Sequence, residues 1–351
     1  MKNHLLTVLV LLASITLTKA QLPSGGGDRI KEDFKFIPLP YLDFNKSYGW
    51  TIGAFPMAMY NPSKKDTISP SSVGGLGVMY SENGTWYGMG FGMNYLNEDQ
   101  WRLTYALGFG NDNFQFYANN PINRWIPYTT QSDFIYLDVK KRVWSDLFFG
   151  ANYLYSRLKT TTEYDVLESE NTLNGVGLEA TFDRRSNVTY PRSGYQATIY
   201  YISYPKAFND IVSNQIIIDY NHYFSTRQEK DVIALRFHSG LAIGQIDFNQ
   251  QFIVGETDIR GYSKGQYRGN YLLAIQGEYR YNFHDRLGLV GFIGLATVFE
   301  SSNPSNDGEL LPGIGTGFRY TYMKDTHSNV GFDVGFGKDD WSFSLMFSEA
   351  F

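Results

Sequence analysis

The densest chemistry in this 351-residue chain lies between residues 255 and 280. Gly255-Glu256-Thr257-Asp258-Ile259-Arg260-Gly261-Tyr262 falls in a connection spanning 247–269, and Glu278-Tyr279-Arg280 follows on the next strand-like segment. A guanidinium held away from bulk water needs carboxylates, because an unpaired buried charge is costly. Arginine offers a planar fork that matches a carboxylate. Glu278 has the inward parity of its segment, so the spacing predicts an Arg260–Glu278 pair, with Asp333 nearby on the inward face of its own segment. Gly261 lets the backbone turn tightly beside a wall. This chemistry fastens a loop; it does not make or break covalent bonds.

The other reactive residue types assemble less. His222, His238, His284 and His327 lack metal-ligand spacing. Arg236 and His238 share the inward face of 231–246, with Asp219 on the neighbouring segment, but no nucleophile-and-base signature accompanies them. They read as satisfied interior polar groups. The Gly clusters at 74–77 and 88–92 precede no helix, so they are not phosphate loops. Catalysis, a metal and a cofactor are not expected. A net charge of −5 without a basic patch gives no reason to expect nucleic acid as a partner.

The elements that must position these groups read as strands. Residues 1–20 form a processing segment: Lys2, then an apolar stretch from Leu5 to Leu17, then Thr18-Lys19-Ala20 as a cleavage site. Residues 21–33 form a short Gly-rich leader, and 34–351 a single unit. There, strand-like segments of about 9–14 residues succeed one another without an amphipathic helix. In 271–283 the odd positions carry Tyr271, Leu273, Ile275, Tyr279, Tyr281 and Phe283, and the even ones Gln276, Glu278, Arg280 and Asn282. The strands are long for a sandwich. The charged face, rich in Gly, suits a wet lumen crowded by an inserted loop. Sixteen segments are predicted, among them 131–142 and 341–351. Short turns lie on one side and long loops on the other, with 61–71 as the exception. The fold class is therefore all-β, a transmembrane antiparallel β-barrel of about sixteen strands, closed because lipid leaves no water for a sheet edge. Trp341, Phe343, Leu345, Phe347 and Phe351 alternate to a final aromatic, which resembles a C-terminal assembly signal of outer-membrane proteins.

Arg260-Gly261-Tyr262 resembles the Arg-Gly-aromatic motif in the sixth outer loop of the BamA/TamA superfamily, also called the bacterial surface antigen family. Asp183, Arg185, Pro191 and Gly194 resemble that family's Asp-x-Arg and Pro-x-x-Gly at the turn between its eighth and ninth strands. Gly315 to Tyr320 resembles its Gly-x-Gly-x-Arg strand. The likeness covers about 34–351 and is strongest after about 173. The sequence departs at Phe292-Ile293-Gly294, where the family's acidic residue is missing, and at Asn282, where a proline is common. The chain resembles short members without periplasmic POTRA domains.

The resemblance implies an outer-membrane location in a Gram-negative-type bacterium and a part in outer-membrane protein insertion or translocation. The expected partners are outer-membrane lipid, the assembly machinery that inserts the barrel, and client or partner outer-membrane proteins. Two other readings stay open on the sequence: a passive pore or small-solute channel, and a structural or accessory subunit of an outer-membrane complex. Pro38 and Pro40 remove donors from the first strand, which suits weak pairing with the last.

Overall fold

The computed structural model describes residues 30, 33–118, 124–162, 169–187, 190–246, 250–255, 258–263, 266–301, 303–323, 328–347 and 349–351. The processing segment 1–20 and most of the leader lie outside the described residues. Eighteen strands follow in order: β1 Phe34–Asn45, β2 Gly49–Tyr60, β3 Ser72–Ser81, β4 Trp86–Leu96, β5 Trp101–Ala118, β6 Arg124–Trp144, β7 Leu147–Thr162, β8 Ser169–Asp183 and β9 Gly194–Tyr204. They continue with β10 Ser213–Thr226, β11 Asp231–Gly244, β12 Phe252–Ile253, β13 Arg268–Gly269, β14 Tyr271–His284, β15 Leu287–Phe299, β16 Leu311–Met323, β17 Ser328–Gly337 and β18 Asp340–Phe347. Sixteen of them close an antiparallel barrel in chain order, while β12 and β13 pair with each other inside the long connection between β11 and β14.

Period-two alternation explains the wall. On β5 the outward residues run Trp101, Leu103, Tyr105, Leu107 and Phe109, then change to Asn111 and Asn113. On β7 they run Phe149, Ala151, Tyr153 and Tyr155, then Arg157 and Lys159. An exposed apolar belt thus gives way to polar residues toward one end. Large outward rings mark its borders, with Trp50, Trp86 and Trp341 toward the loop end and Trp101 and Trp144 toward the turn end. Such a belt with aromatic borders is the surface a bilayer requires.

The interior differs from the expected wet lumen. Met57, Met59, Phe134, Leu154, Leu158 and Ile202 point inward and are almost fully buried, within one apolar cluster that also takes in Ile30. On β2 both faces are apolar, so the alternation seen in 271–283 does not mark there which face meets water, while β6 to β8 also bury Asp138, Lys140 and Glu179 on the inner side.

The exceptional connection 61–71 is an ordered cap. The Asp66 carboxylate accepts from Ser69 Oγ at 2.6 Å, from the amides of Ser69 and Ile68 at 2.9 and 3.0 Å, and from the amide of Glu98 at 2.8 Å. It therefore ties the β2–β3 connection to the β4–β5 turn.

Two of the segment ends that move have a clear cause. β6 starts at Arg124 rather than 131, because β5 pairs with it position by position from Trp101↔Lys141 to Ala118↔Arg124. The last strand ends at Phe347 and does not reach Phe351. Trp341, Phe343 and Leu345 have the outward parity, so a longer strand would turn Glu349 toward lipid. Instead the chain leaves the strand and Glu349 is buried.

Candidate functional site

The connection between β11 and β14 folds into the barrel. Phe252, Val254, Ile259, Tyr262 and Tyr267 are all buried there and pack on inward residues of β14, β15 and β16. Gly261 has φ +104°, and a side chain on it would strike the backbone of Phe336 at 2.7 Å. Gly335 on β17 is its counterpart, since a Cβ there would meet Gly261 N at 2.7 Å. Loop and wall are in backbone-to-backbone contact, which only glycine permits.

That contact delivers Arg260 to two carboxylates. Its Nη2 donates to Glu278 Oε2 at 2.6 Å, and its Nη1 to Asp333 Oδ2 at 2.5 Å. The guanidinium also lies 3.5 Å from the ring centroid of Phe292, a cation–π contact in a desolvated place. Glu278 uses its other oxygen for Arg280 Nε at 2.7 Å, and Asp333 uses its other oxygen for Arg319 Nη1 at 2.6 Å. Arg319 Nε donates to Glu349 Oε2 at 2.9 Å, and Arg280 Nε lies 3.7 Å from the same oxygen. Three guanidiniums and three carboxylates alternate in a closed, charge-balanced ring. It joins the loop, strands β14, β16 and β17, and the residues after β18. Arg280 Nη2 also donates to Phe351 O at 2.8 Å, and Phe351 packs on a cluster holding Tyr190 and Tyr223.

A second fastening sits at the loop end. Ser263 N donates to Asp340 Oδ2 at 2.5 Å, and Lys46 N donates to Ser263 Oγ at 2.9 Å. Lys46 Nζ reaches Asp340 Oδ1 at 3.3 Å. Tyr262 Oη donates to Pro312 O at 2.6 Å and accepts from Lys338 N at 3.0 Å. The loop therefore holds both the β1–β2 turn and the β17–β18 turn, one on each side of the place where the barrel closes.

That closure is short. β1 and β18 share two partnered positions, Asp43↔Ser344 and Phe44↔Phe343, whereas β1 and β2 share twelve and β17 and β18 share eight. Ser344 Oγ donates to Asp43 Oδ1 at 2.6 Å, and Phe44 stacks on Trp341 at 4.7 Å. Phe34–Leu42 have no partner on β18. Asn61 N donates to Asp33 O, so odd residues of β1 direct their backbone groups to β2 and even residues to the other edge. Pro38 and Pro40 are even. Both missing donors lie on the unpaired edge.

The turn motif forms a separate knot. Arg185 donates to Asp183 from Nε and Nη2 at 2.9 and 3.0 Å, and Arg102 adds a contact of 3.2 Å. Gly194 turns with φ +91°. Pro191 reaches the ring through its carbonyl, 3.4 Å from Arg280 Nη1. Among the described residues, Asp219 accepts from Arg236 at 2.8 Å and lies 2.8 Å from His238 Nδ1, an interior polar triplet without a nucleophile beside it.

The structure brings Arg260, Glu278, Arg280 and Asp333 together and leaves Asp183 and Arg185 apart. Sequence reasoning missed Arg319 and Glu349 as ring members. Arg319 has the inward parity of Gly313, Gly315 and Gly317 and was legible; Glu349 was not, because it lies beyond the strand. The departures from the family pattern also have local causes. A side chain at Gly294 would press on Gln276 and on Ile259 of the loop, which fills that space. Asn282 donates its N–H to Asp231 Oδ1 at 2.9 Å, a bond that proline could not make.

No curated protein matches the sequence. Among solved structures, BamA from Haemophilus ducreyi lacking POTRA domains 1–3 matches with a TM-score of 0.62 at 12% identity, over 97% of this chain and 78% of that one. CdiB from Acinetobacter baumannii matches with a TM-score of 0.64 at 13% identity, over 90% and 60% of the two chains. CdiB from Escherichia coli gives 0.61 at 10% identity, over 94% and 69%. These likenesses are of fold, and this chain spans about three fifths to four fifths of those chains. A sequence profile of the Omp85 superfamily domain matches residues 73–337, most of the barrel and the whole inserted loop, so the chain belongs to the Omp85 superfamily of outer-membrane β-barrels.

Proposed function

We propose that this barrel takes part in inserting or translocating outer-membrane proteins by opening the seam between β1 and β18. One observation carries the reading: that junction has two partnered positions, in a barrel whose other junctions are far more extensively paired. An unpaired strand edge is a template for another chain. The ring holds the wall on the β18 side, while the loop-end clasp bridges the seam through Ser263, Lys46 and Asp340 and has to release for the seam to open along its whole length. The apolar cluster packed inside the barrel supports this reading over a passive pore.

The sequence has no cysteine, so a cross-link can be placed cleanly. Asp43→Cys with Ser344→Cys introduces cysteines at facing positions. In depleted native-host cells complemented by this variant, oxidation is expected to lower outer-membrane protein levels and reductant to restore them. Full complementation by the oxidised, cross-linked barrel would overturn seam opening. Normal outer-membrane protein levels after depletion would overturn the assembly role itself.

A further inference from the structure

The residues after β18 occupy a place to which their own sequence does not lead. Continued as a strand, the odd positions Trp341, Phe343, Leu345, Phe347, Glu349 and Phe351 would form one stripe on one face. β18 ends at Phe347, and residues 349–351 are instead held inside the barrel. The Glu349 carboxylate accepts from Asn329 Nδ2 at 2.7 Å and from Arg319 Nε at 2.9 Å. Arg280 Nη2 donates to Phe351 O, and the Phe351 ring packs on Tyr190, Tyr223, Val232 and Ala234. These holding groups are distant in the chain: Tyr190 precedes β9, Tyr223 lies on β10, Arg280 on β14, Arg319 on β16 and Asn329 on β17. The berth therefore exists only once β10 to β17 have paired and curled into a wall.

We propose that these residues are a handle while the chain is unfolded and a latch once the barrel has closed. As a handle, the stripe pairs with a partner protein that offers a free strand edge. Backbone bonds to such an edge give affinity, and pockets for alternate side chains give specificity. As a latch, Glu349 and Phe351 are drawn into the berth and their backbone leaves that edge. The two states exclude each other. The edge needs 349–351 extended with Phe351 on the stripe, whereas the berth needs them inside. Arg319, Asn329 and Arg280 thus withdraw the handle only from a closed barrel, so the partner is released when folding is finished. This inference concerns the chain as cargo and does not rest on seam opening.

The test pulse-labels the full chain in its native host with a photo-crosslinking residue in place of Ala350. The otherwise unchanged chain is expected to give an adduct early and to lose it as heat-modifiable mobility appears. Glu349→Gln keeps the stripe and weakens the latch. Its early adduct should be unchanged, while folded chains still in adduct should rise about tenfold, the worth of one charged contact. Should Glu349→Gln fail to fold, Asn329→Ala removes one of the two groups on Glu349 and gives the same readout. Asp183→Asn disturbs the separate knot with Arg102 and Arg185. It is expected to slow folding without leaving folded chains in adduct, which separates the latch from general stability. Phe351→Ala should lower the early adduct. Folded latch variants as free of adduct as the parent would overturn the latch, and so would folded parent chains that keep it. An early adduct unaffected by Phe351→Ala would overturn the handle.

Discussion

Arg319 and Glu349 are joined by an Nε–Oε2 contact of 2.9 Å, and both side chains are almost wholly buried. Through that contact the segment after β18 is fastened to the barrel wall at the position where Arg319 also holds Asp333. Losing one partner of an isolated buried pair costs about 3–5 kcal/mol, and the cost here is smaller because Arg319 keeps Asp333. Glu349→Gln is therefore expected to free residues 349–351 and to lower the temperature at which heat-modifiable mobility is lost. An unchanged transition would mean that the tail adds nothing to barrel stability.

The ring predicts unequal costs. Both Arg260 and Glu278 touch two opposite charges. Removal of Arg260 leaves Glu278 and Asp333 each with a guanidinium at 2.6–2.7 Å, whereas removal of Glu278 leaves the buried Arg280 with Glu349 at 3.7 Å as its remaining carboxylate. Glu278→Gln should destabilise more than Arg260→Ala. The double variant should cost less than the sum, as expected for groups in one network. Strict additivity in the same melting measurement would refute the coupling. Arg260→Lys should recover only part of the loss, since a point charge cannot bridge Glu278 and Asp333 as a planar fork does.

The clasp makes a local prediction. Ser263→Ala removes the oxygen that accepts from Lys46 N and donates to Asp340. Hydrogen exchange should quicken in β1 and β18 and stay unchanged in β5 to β8. Lys46→Ala should do less, because its ammonium is half exposed and such pairs are worth about 0–1 kcal/mol. Equal exchange everywhere would separate the loop from the seam.

Restoring the missing donors should act in the opposite sense. Pro38→Val with Pro40→Val returns two N–H groups to the edge that faces away from β2. More pairing along that edge is expected, either with β18 or between two barrels. Slower exchange in β18, or a dimer in sedimentation, is the readout; neither change would mean that proline does not limit the edge.

Acid should loosen the cap over 61–71. Burial works to raise the Asp66 carboxyl, but hydrogen bonds from Ser69, Glu98 and Ile68 outweigh it and hold the group well below the usual carboxylate range. A depressed folded value means stabilisation that is full above the ordinary carboxylate value and is lost as pH falls through the folded one. Exchange protection of Ser69 and Glu98 should therefore fall in strong acid. Asp66→Asn should flatten that dependence, and an unaltered acid profile in this variant would remove Asp66 as its cause.

Much of this was legible because lipid imposes a strict parity on each strand. Parity placed Glu278 and Asp333 on the inward face, and the Arg-Gly-Tyr run drew attention to Arg260. What escaped lies where parity ends. Glu349 leaves the strand because continuing it would set a carboxylate against lipid. β6 passes Pro127 because β5 carries it there through Gln115. The apolar interior beside Met57 and Phe134 escaped because a strand that is apolar on both faces does not say which side is which.

The strand lengths carry a consequence for the bilayer. β6 has 21 residues and β18 has eight. At about 3.3 Å per residue and a tilt near 40°, these rise roughly 50 and 20 Å along the barrel axis, against an apolar band of about 25 Å. The tall wall stands clear of the membrane, whereas β18 by itself falls short of crossing it. Lipid tails beside the seam must shorten to meet it, at a fraction of a kcal/mol per Å of mismatch. The junction with the fewest paired positions is thereby also the place where the barrel wall is shortest, well below the height of β5 to β8.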